Sequence, residues 1–462
     1  KGSIQYYYIM LNKIRIAILL AAVSTAGFNN VFAQPSRVII GENGPKTGLA
    51  NSPLSRIGVG NWLDPSNSMI KGMGGIATAY NNPFAINKMN PATYGFTKIT
   101  TFDLSVQAYS NNIFLNDNAL KSSTYTINSI AFAIPAGKYF GLSFGYHPKS
   151  TVYYDAAQQD VIAGLDTVNR MYYGYGALHD LYLGGAFKYK GFALGLNANY
   201  IFGSILNSSA IESVYLINPS YTNSEFYSVN TIRGLQFQLG AIYQHTLKDR
   251  HYLQFGAAYD LKAGLNTSRD FYAMQYQYAV NGSSVTTDPI DTMQSLSLRN
   301  AKGKLTLPSG LSLGVHMGRS GHWNAGVDFR TTQWSEFAFN NDRSGVAAST
   351  YRLGIGGEMM ANPEATENVF LNNIVFRLGA YYGTDYAVLG NQVYYYGGTF
   401  SIGLPLFRSY GTYGTGLLNT TFDIGTASNG APANAVSYTN RYFKFTLGFN
   451  FNDVWFKKRK FE

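Results

Sequence analysis

The chain has no cysteine among its 462 residues. It therefore forms no disulfide, has no thiolate for catalysis or metal binding, and lacks the acylation site of a lipoprotein. Charge is scarce as well. Asp, Glu, Lys and Arg make up 13% of the residues, roughly half the share of a soluble domain. No uninterrupted apolar run reaches the ~18 residues of a spanning helix. The six histidines (147, 179, 245, 251, 316 and 322) show neither metal-ligand spacing nor a hydrolytic arrangement with Ser and Asp. Gly72-Met-Gly74-Gly75 lacks the Lys-Ser/Thr that completes a phosphate loop. The formal charge of +10 is spread over turns and a basic C-terminal tail instead of forming a stripe. Enzymatic activity, a cofactor, a metal and a nucleic-acid partner are therefore not expected.

What is abundant is alternation. Segments of about ten residues recur with an apolar side chain at every second position, as in Phe140-Gly-Leu142-Ser-Phe144-Gly-Tyr146 and Leu235-Gln-Phe237-Gln-Leu239. Side chains alternate faces along a strand, so each segment has one greasy face and one small or polar face. In a soluble sandwich the greasy face meets a second sheet. In a membrane barrel it meets lipid, while Gln, Asn, Gly and Ser line the lumen. The low charge, with 37 Tyr, 30 Phe and 49 Gly, favours the barrel, whose aromatic girdles and closely packed strands use that mixture. Strands are expected near 99–109, 123–134, 139–154, 178–189, 191–206, 230–246, 251–264, 307–318, 322–336, 349–361, 372–384, 393–404, 412–426 and 438–451. Gaps alternate between tight turns such as Arg319-Ser-Gly321-His and long ones at 155–177, 207–229 and 265–306. The reading is an all-β protein, a transmembrane antiparallel barrel of about 14 strands over 99–451, with an even strand count and both ends on the periplasmic side.

The N-terminal region divides in two. Residues 1–33 read as an export signal with an upstream extension. Met10 is the expected start, Lys13 and Arg15 give the positive region, Ile16 to Val23 the apolar stretch, and Val31-Phe-Ala33 the cleavage site. Residues 34–98 are rich in Gly, Asn, Pro and Ser and are too poor in apolar surface to form a domain. Their economical place is inside the barrel as a plug, the alternative being a disordered extension. Met69, Ile70, Ile76 and Phe84, at roughly helical spacing, argue for order. Residues 452–462 form a basic tail, Lys457-Lys-Arg459-Lys460 included. By alternation, Asp260, Asp328, Arg330, Arg352, Glu358, Arg377 and Lys444 point inward, where they pair with one another or fix the plug.

The small-residue stretch Gly72-Met-Gly74-Gly75, followed by Asn90-Pro91-Ala92, resembles the hatch signature of the FadL family of outer-membrane transporters, and the style of the chain, including the Ala33-Gln34 junction, is similar to proteins of the Bacteroidetes lineage. Leu307-Pro308, Trp323 through Val327-Asp328-Phe329 to Trp334, and Phe376-Arg377-Leu378-Gly379-Ala380-Tyr381-Tyr382 continue the resemblance. It implies outer-membrane transport of hydrophobic small molecules, long-chain fatty acids being the default, by plug-gated diffusion. A hydrophobic patch between the third and fourth external loops would receive the cargo, here Ile211, Tyr215, Leu216, Phe271, Tyr272 and Met274. A kink in the third strand, carried by Gly141, Gly145 and Pro148, would release it sideways. Arg330, Arg377 and Lys444 are candidates for holding a carboxylate. The partners implied are hydrophobic compounds, outer-membrane lipid and the barrel-assembly machinery that inserts the chain, with a monomeric state. Some relatives serve protein secretion, so the alternative is a barrel that docks other envelope proteins.

Overall fold

In the computed structural model the described residues are 52–454, without 117, 163–165, 214–221, 282–283, 293–296, 361–368, 409–414 and 432–434. The expected signal, residues 34–51 of the plug and the last eight residues of the basic tail lie outside them.

Fourteen antiparallel strands close into a barrel. They are β1 Thr100–Leu115, β2 Asn118–Ala136, β3 Phe140–Ile162, β4 Asp166–Tyr189, β5 Phe192–Ser213 and β6 Asn223–Thr246. β7 runs through His251–Asp260 and Ala263–Asn281, and β8 through Ser284–Thr292, Leu298–Leu307 and Gly310–Arg319. The remainder are β9 Trp323–Thr332, β10 Thr350–Met360, β11 Val375–Leu389, β12 Asn391–Arg408, β13 Thr415–Ser428 and β14 Tyr438–Asp453. β14 pairs with β1 from Tyr438↔Leu115 to Asp453↔Thr100, which leaves no open edge there. The ends of the described barrel, Thr100 and Asp453, share one rim, here the lower one.

A membrane strand needs ~9–11 residues, yet β4 and β6 have 24 each. β3 to β8 thus rise far above the rest as a crest. The segments 207–229 and 265–306, expected as external loops, are mostly strand: β5 continues to Ser213, and β7 and β8 pair through Ser284↔Asn281, Lys302↔Ser268 and Leu307↔Ala263.

The reason is a change of hydrophobic phase partway up the wall. Low on β6, the outward side chains Leu235, Phe237 and Leu239 are exposed; higher up, Ile232 is fully buried on the inner side and Arg233 is exposed outside. β4 does the same, with Leu181 and Leu183 outward and Leu178 buried inward. Below the switch the wall is wrapped by an apolar belt that includes Leu142, Leu194, Phe255, Leu313, Leu353, Leu378 and Phe422. Such a surface is stable only against lipid. Above it, the crest buries apolar side chains inside and shows polar ones outside, as a water-soluble β structure does.

Candidate functional site

Residues 52–98 lie against the inner faces of the strands, and the geometry begins with two glycines. Gly74 and Gly75 have φ of +68° and +72°, a left-handed conformation that costs other residues energy. The turn they make follows the short helix Ser68–Gly72, capped by Asn67, whose side chain accepts from the Ile70 amide. It turns two carbonyls toward the wall. Arg330 donates to the Gly75 carbonyl at 2.6 Å and Arg352 to the Gly74 carbonyl at 2.7 Å. Asp328 accepts the amides of Ala77 and Thr78 at 2.5 and 2.6 Å. A second anchor is Asn90, fully buried, whose side-chain amide donates to the carbonyls of Thr78, Ala241 and Ala257, and whose oxygen accepts from Ala92 N. Pro91 then opens the turn Pro91–Phe96. Inward glycines of the wall make room for this backbone: a Cβ on Gly379 would meet Gly74 N at 2.1 Å, and one on Gly195 would meet Pro91 C at 2.3 Å.

Above this seat is a cavity of about 490 Å³, and its lining is charged. Lys71, Lys88, Lys149, Arg330, Arg352 and Lys444 face Asp64, Asp180, Asp260, Asp385 and Asp423, with tyrosines between them. Lys88 pairs with Asp180 at 2.7 Å and touches His147, which is itself 3.0 Å from Asp180. Lys444 sits 3.7 Å from Asp423 and over the rings of Tyr109 and Tyr442. Within the hatch, burial pushes the Lys71 ammonium down to about 8, while Nζ donates to Asn128 at 2.6 Å. Burial raises Asp64 but Arg330, Arg352 and Lys71 outweigh it, holding the carboxyl well below the usual range.

A second seal closes the top. Leu54, Val59 and Trp62 pack into an apolar core with Leu178, Ile205, Ile232, Leu265, Leu305, Trp334, Phe337 and Tyr386. Trp334 stacks on Tyr386 with centroids 4.4 Å apart, and the Tyr386 hydroxyl donates to the Ile57 carbonyl at 2.7 Å. The charged cavity thus lies between the hatch below and this core above, with Leu54, Trp62, Trp334 and Tyr386 of the core reaching its lining.

The wall has one discontinuity. β2 and β3 pair only from Ala136↔Phe140 to Ile130↔Tyr146 among the described residues. At Pro148–Ser150 the register of β3 against β4 shifts by a bulge at Lys149. Beyond it, Asn61 and Trp62 pair with Thr151 and Ser150, and the Ser52 amide donates to the Tyr153 carbonyl. The upper part of β3 has thus exchanged β2 for the hatch segment as its neighbour.

The residues singled out from the sequence fall as follows. Gly72, Gly74, Gly75, Asn90, Pro91 and Ala92 all touch the wall. Gly141 and Gly145 allow close approach, to Tyr94 O and Ile130 O respectively, and Pro148 stands at the bulge. Arg330 and Lys444 line the cavity; Arg377 does not, being buried against Glu358 at 2.9 Å and Asn419 at 2.8 Å. Ile211, Phe271, Tyr272 and Met274 lie on strands and not loops, with Phe271 and Tyr272 on opposite faces, so these four do not make one surface. Tyr215 and Leu216 are outside the described residues. Sequence reasoning missed Trp62 and Tyr386, although Trp62, an isolated tryptophan outside the alternating segments, was a usable signal; Trp334 was noted as part of the family motif but not for its place in this core. It also missed Lys88, Asp180 and His147, three polar residues distant in sequence.

A family model described as BamG matches residues 43–462. No curated protein matches the chain by sequence. Among solved structures, a Pseudomonas aeruginosa FadL homologue is 14% identical, with a TM-score of 0.54 over 85% of this chain and 98% of that one. The Ralstonia pickettii toluene transporter TbuX is 15% identical, with a TM-score of 0.54 over 85% and 99%. The P. putida toluene transporter TodX is 12% identical, with a TM-score of 0.53 over 86% and 100%. At these identities the likeness establishes a shared barrel fold.

Proposed function

The chain belongs to the BamG family, and from that membership we propose that it is an outer-membrane barrel that docks other envelope proteins in the service of barrel assembly, with its lumen held shut. The observation that carries this reading is the double seal: a hatch fixed to the wall through Asn90, Asp328, Arg330 and Arg352, and an apolar core around Trp62, Trp334 and Tyr386. The space between them is lined by the charges of Lys88, Asp180, Arg330, Arg352 and Lys444 among tyrosines. The crest of β3 to β8, standing above the belt, gives partners a tall surface at the cell exterior, and residues 52–98 act as the stopper of the lumen.

A second reading is favoured by one specific observation, the interrupted ladder between β2 and β3. Under it, hydrophobic small molecules such as fatty acids cross when residues 52–63 leave the edge of β3, and exit sideways through the gap. The fold shared with TbuX and TodX supports this reading too.

One variant separates the two. Asn61→Cys with Thr151→Cys puts a cysteine pair directly opposite across the hatch–β3 ladder, in a chain with no other cysteine. Paired strand positions lie within disulfide reach. Docking predicts that cells carrying the oxidised lock assemble outer-membrane proteins at wild-type levels. If the lock instead abolishes uptake of a labelled fatty acid, and reduction restores it, the docking reading gives way to transport.

A further inference from the structure

The outward face of the crest carries unpaired cations at one height. Across β5, β6, β7 and β8, Phe202 pairs with Arg233, Arg233 with Asn266, and Asn266 with Lys304. One step higher, Thr231 is opposite Ser268 and Ser268 opposite Lys302. Arg233, Lys302 and Lys304 are all exposed. Strand spacing puts Arg233 and Lys304 about 10 Å apart, and Lys302 about 7 Å from Lys304 along its strand. Among the described residues no carboxylate pairs with any of the three. The nearest acid along β7, Asp270, sits one step above Ser268 and accepts the Asn300 amide.

Their height matches the membrane surface. From Tyr243, at the lower turn of β6, to Arg233 is about ten residues, or ~33 Å of strand and ~25 Å along the membrane normal at a usual tilt. That is one thickness of the apolar band. Directly beneath Arg233 come Leu235, Phe237 and Leu239, and beneath β8's cations come Leu311 and Leu313, all exposed. Beside Arg233 an aromatic row marks the interface: Tyr146 donates or accepts at His179 Nδ1, 2.8 Å away, and His179 lies 5.5 Å from the Phe202 ring.

We propose that Arg233, Lys302 and Lys304 form a binding site for the phosphates of an anionic lipid in the outer leaflet, with its acyl chains lying on the belt below. Arg and Lys at a membrane surface each attract anionic headgroups, and Arg grips phosphate with two parallel bonds. The belt selects a lipid over soluble phosphate, because only a lipid places its anion one hydrocarbon thickness above the lower turns. This site stands whether the barrel docks proteins or transports small molecules.

The test uses the purified full chain in phosphatidylcholine nanodiscs, with retained lipid read by native mass spectrometry. Lipid A, which carries two phosphates, is the probe. The wild type should retain it, retain dephosphorylated lipid A far less, and not lose it to inorganic phosphate. Arg233→Gln/Lys302→Gln/Lys304→Gln should weaken retention at least about tenfold. Lys138→Gln/Lys190→Gln/Lys248→Gln, at the lower turns, should leave it unchanged. Folding is checked by heat-modifiable gel migration; if the triple variant misfolds, Lys302→Gln alone should still weaken retention about threefold. Equal retention by the folded upper variants and the wild type, or displacement by inorganic phosphate, overturns the site.

Discussion

Single residues decide how tightly the hatch sits, and glycines on the wall do so as much as the polar anchors. A Cβ on Gly379 would fall 2.1 Å from Gly74 N, backbone against backbone, whereas one on Gly398 of the adjacent strand finds its nearest neighbour, Gly379 O, at 3.9 Å. Gly379→Ala should therefore loosen the hatch by about 1–3 kcal/mol, the usual cost of overpacking, and Gly398→Ala should not. Limited proteolysis within residues 52–98 measures the difference; equal cleavage of the two variants would count against this seating. Lys71 adds a pH signature. Burial lowers its pKa from 10.5 to about 8 in the seated hatch, and a displaced hatch regains the ordinary value. Between those limits the displaced form binds more protons, so the seated form gains stability as pH rises. Protection of the hatch should increase from pH about 8 to 10.5 in the wild type and stay flat in Lys71→Met. Parallel profiles would mean that Lys71 is not the titrating group.

At the scale of elements, much of the barrel was legible and the crest was not. All fourteen strands lie where alternation placed them, because in the belt every second side chain must face lipid, with a break at the β2 bulge that leaves both Asn128 and Ser129 buried. The same rule misled above the membrane. On β7 and β8, Leu265 and Leu305 are fully buried inside while Asn266 and Lys304 are exposed outside, the reverse of the phase lower down. A sequence reading that expects a single phase finds no strand there and assigns loops at 207–229 and 265–306. The hatch was legible in outline, since Gly74, Gly75 and Asn90-Pro91 are locally constrained by their own backbone chemistry. Its contacts were not, because Asp328, Arg330 and Arg352 meet it across some 250 to 280 residues of sequence, and no local pattern encodes such a distance. The segment 52–63 could not be read as a substitute neighbour for β3, since two residues of ladder, Asn61 and Trp62, leave no periodicity.

For the molecule as a whole, the two seals are separate structures and should fail separately. The lower one rests on the hatch from Ser68 to Phe96, held by buried polar bonds to β6, β7, β9, β10 and β12. The upper one rests on Leu54, Val59 and Trp62 inserted among crest side chains. The wall itself depends on neither at its closing seam, where β14 and β1 pair along their whole length. Removing residues 52–98 strips Asp328, Arg330 and Arg352 of their hatch partners, but an emptied lumen admits water, which solvates exposed charges and limits the loss. In planar bilayers the intact chain should be silent, and the chain lacking residues 52–98 should conduct ions steadily. The chain lacking only 52–63 should remain silent, because the hatch beneath the charged cavity still spans the lumen. Steady conductance from that shorter deletion would show that the upper core alone closes the barrel and that the hatch is no seal. Silence from the longer one, in a barrel that migrates as folded, would mean that the wall collapses onto its own lumen once the hatch is gone.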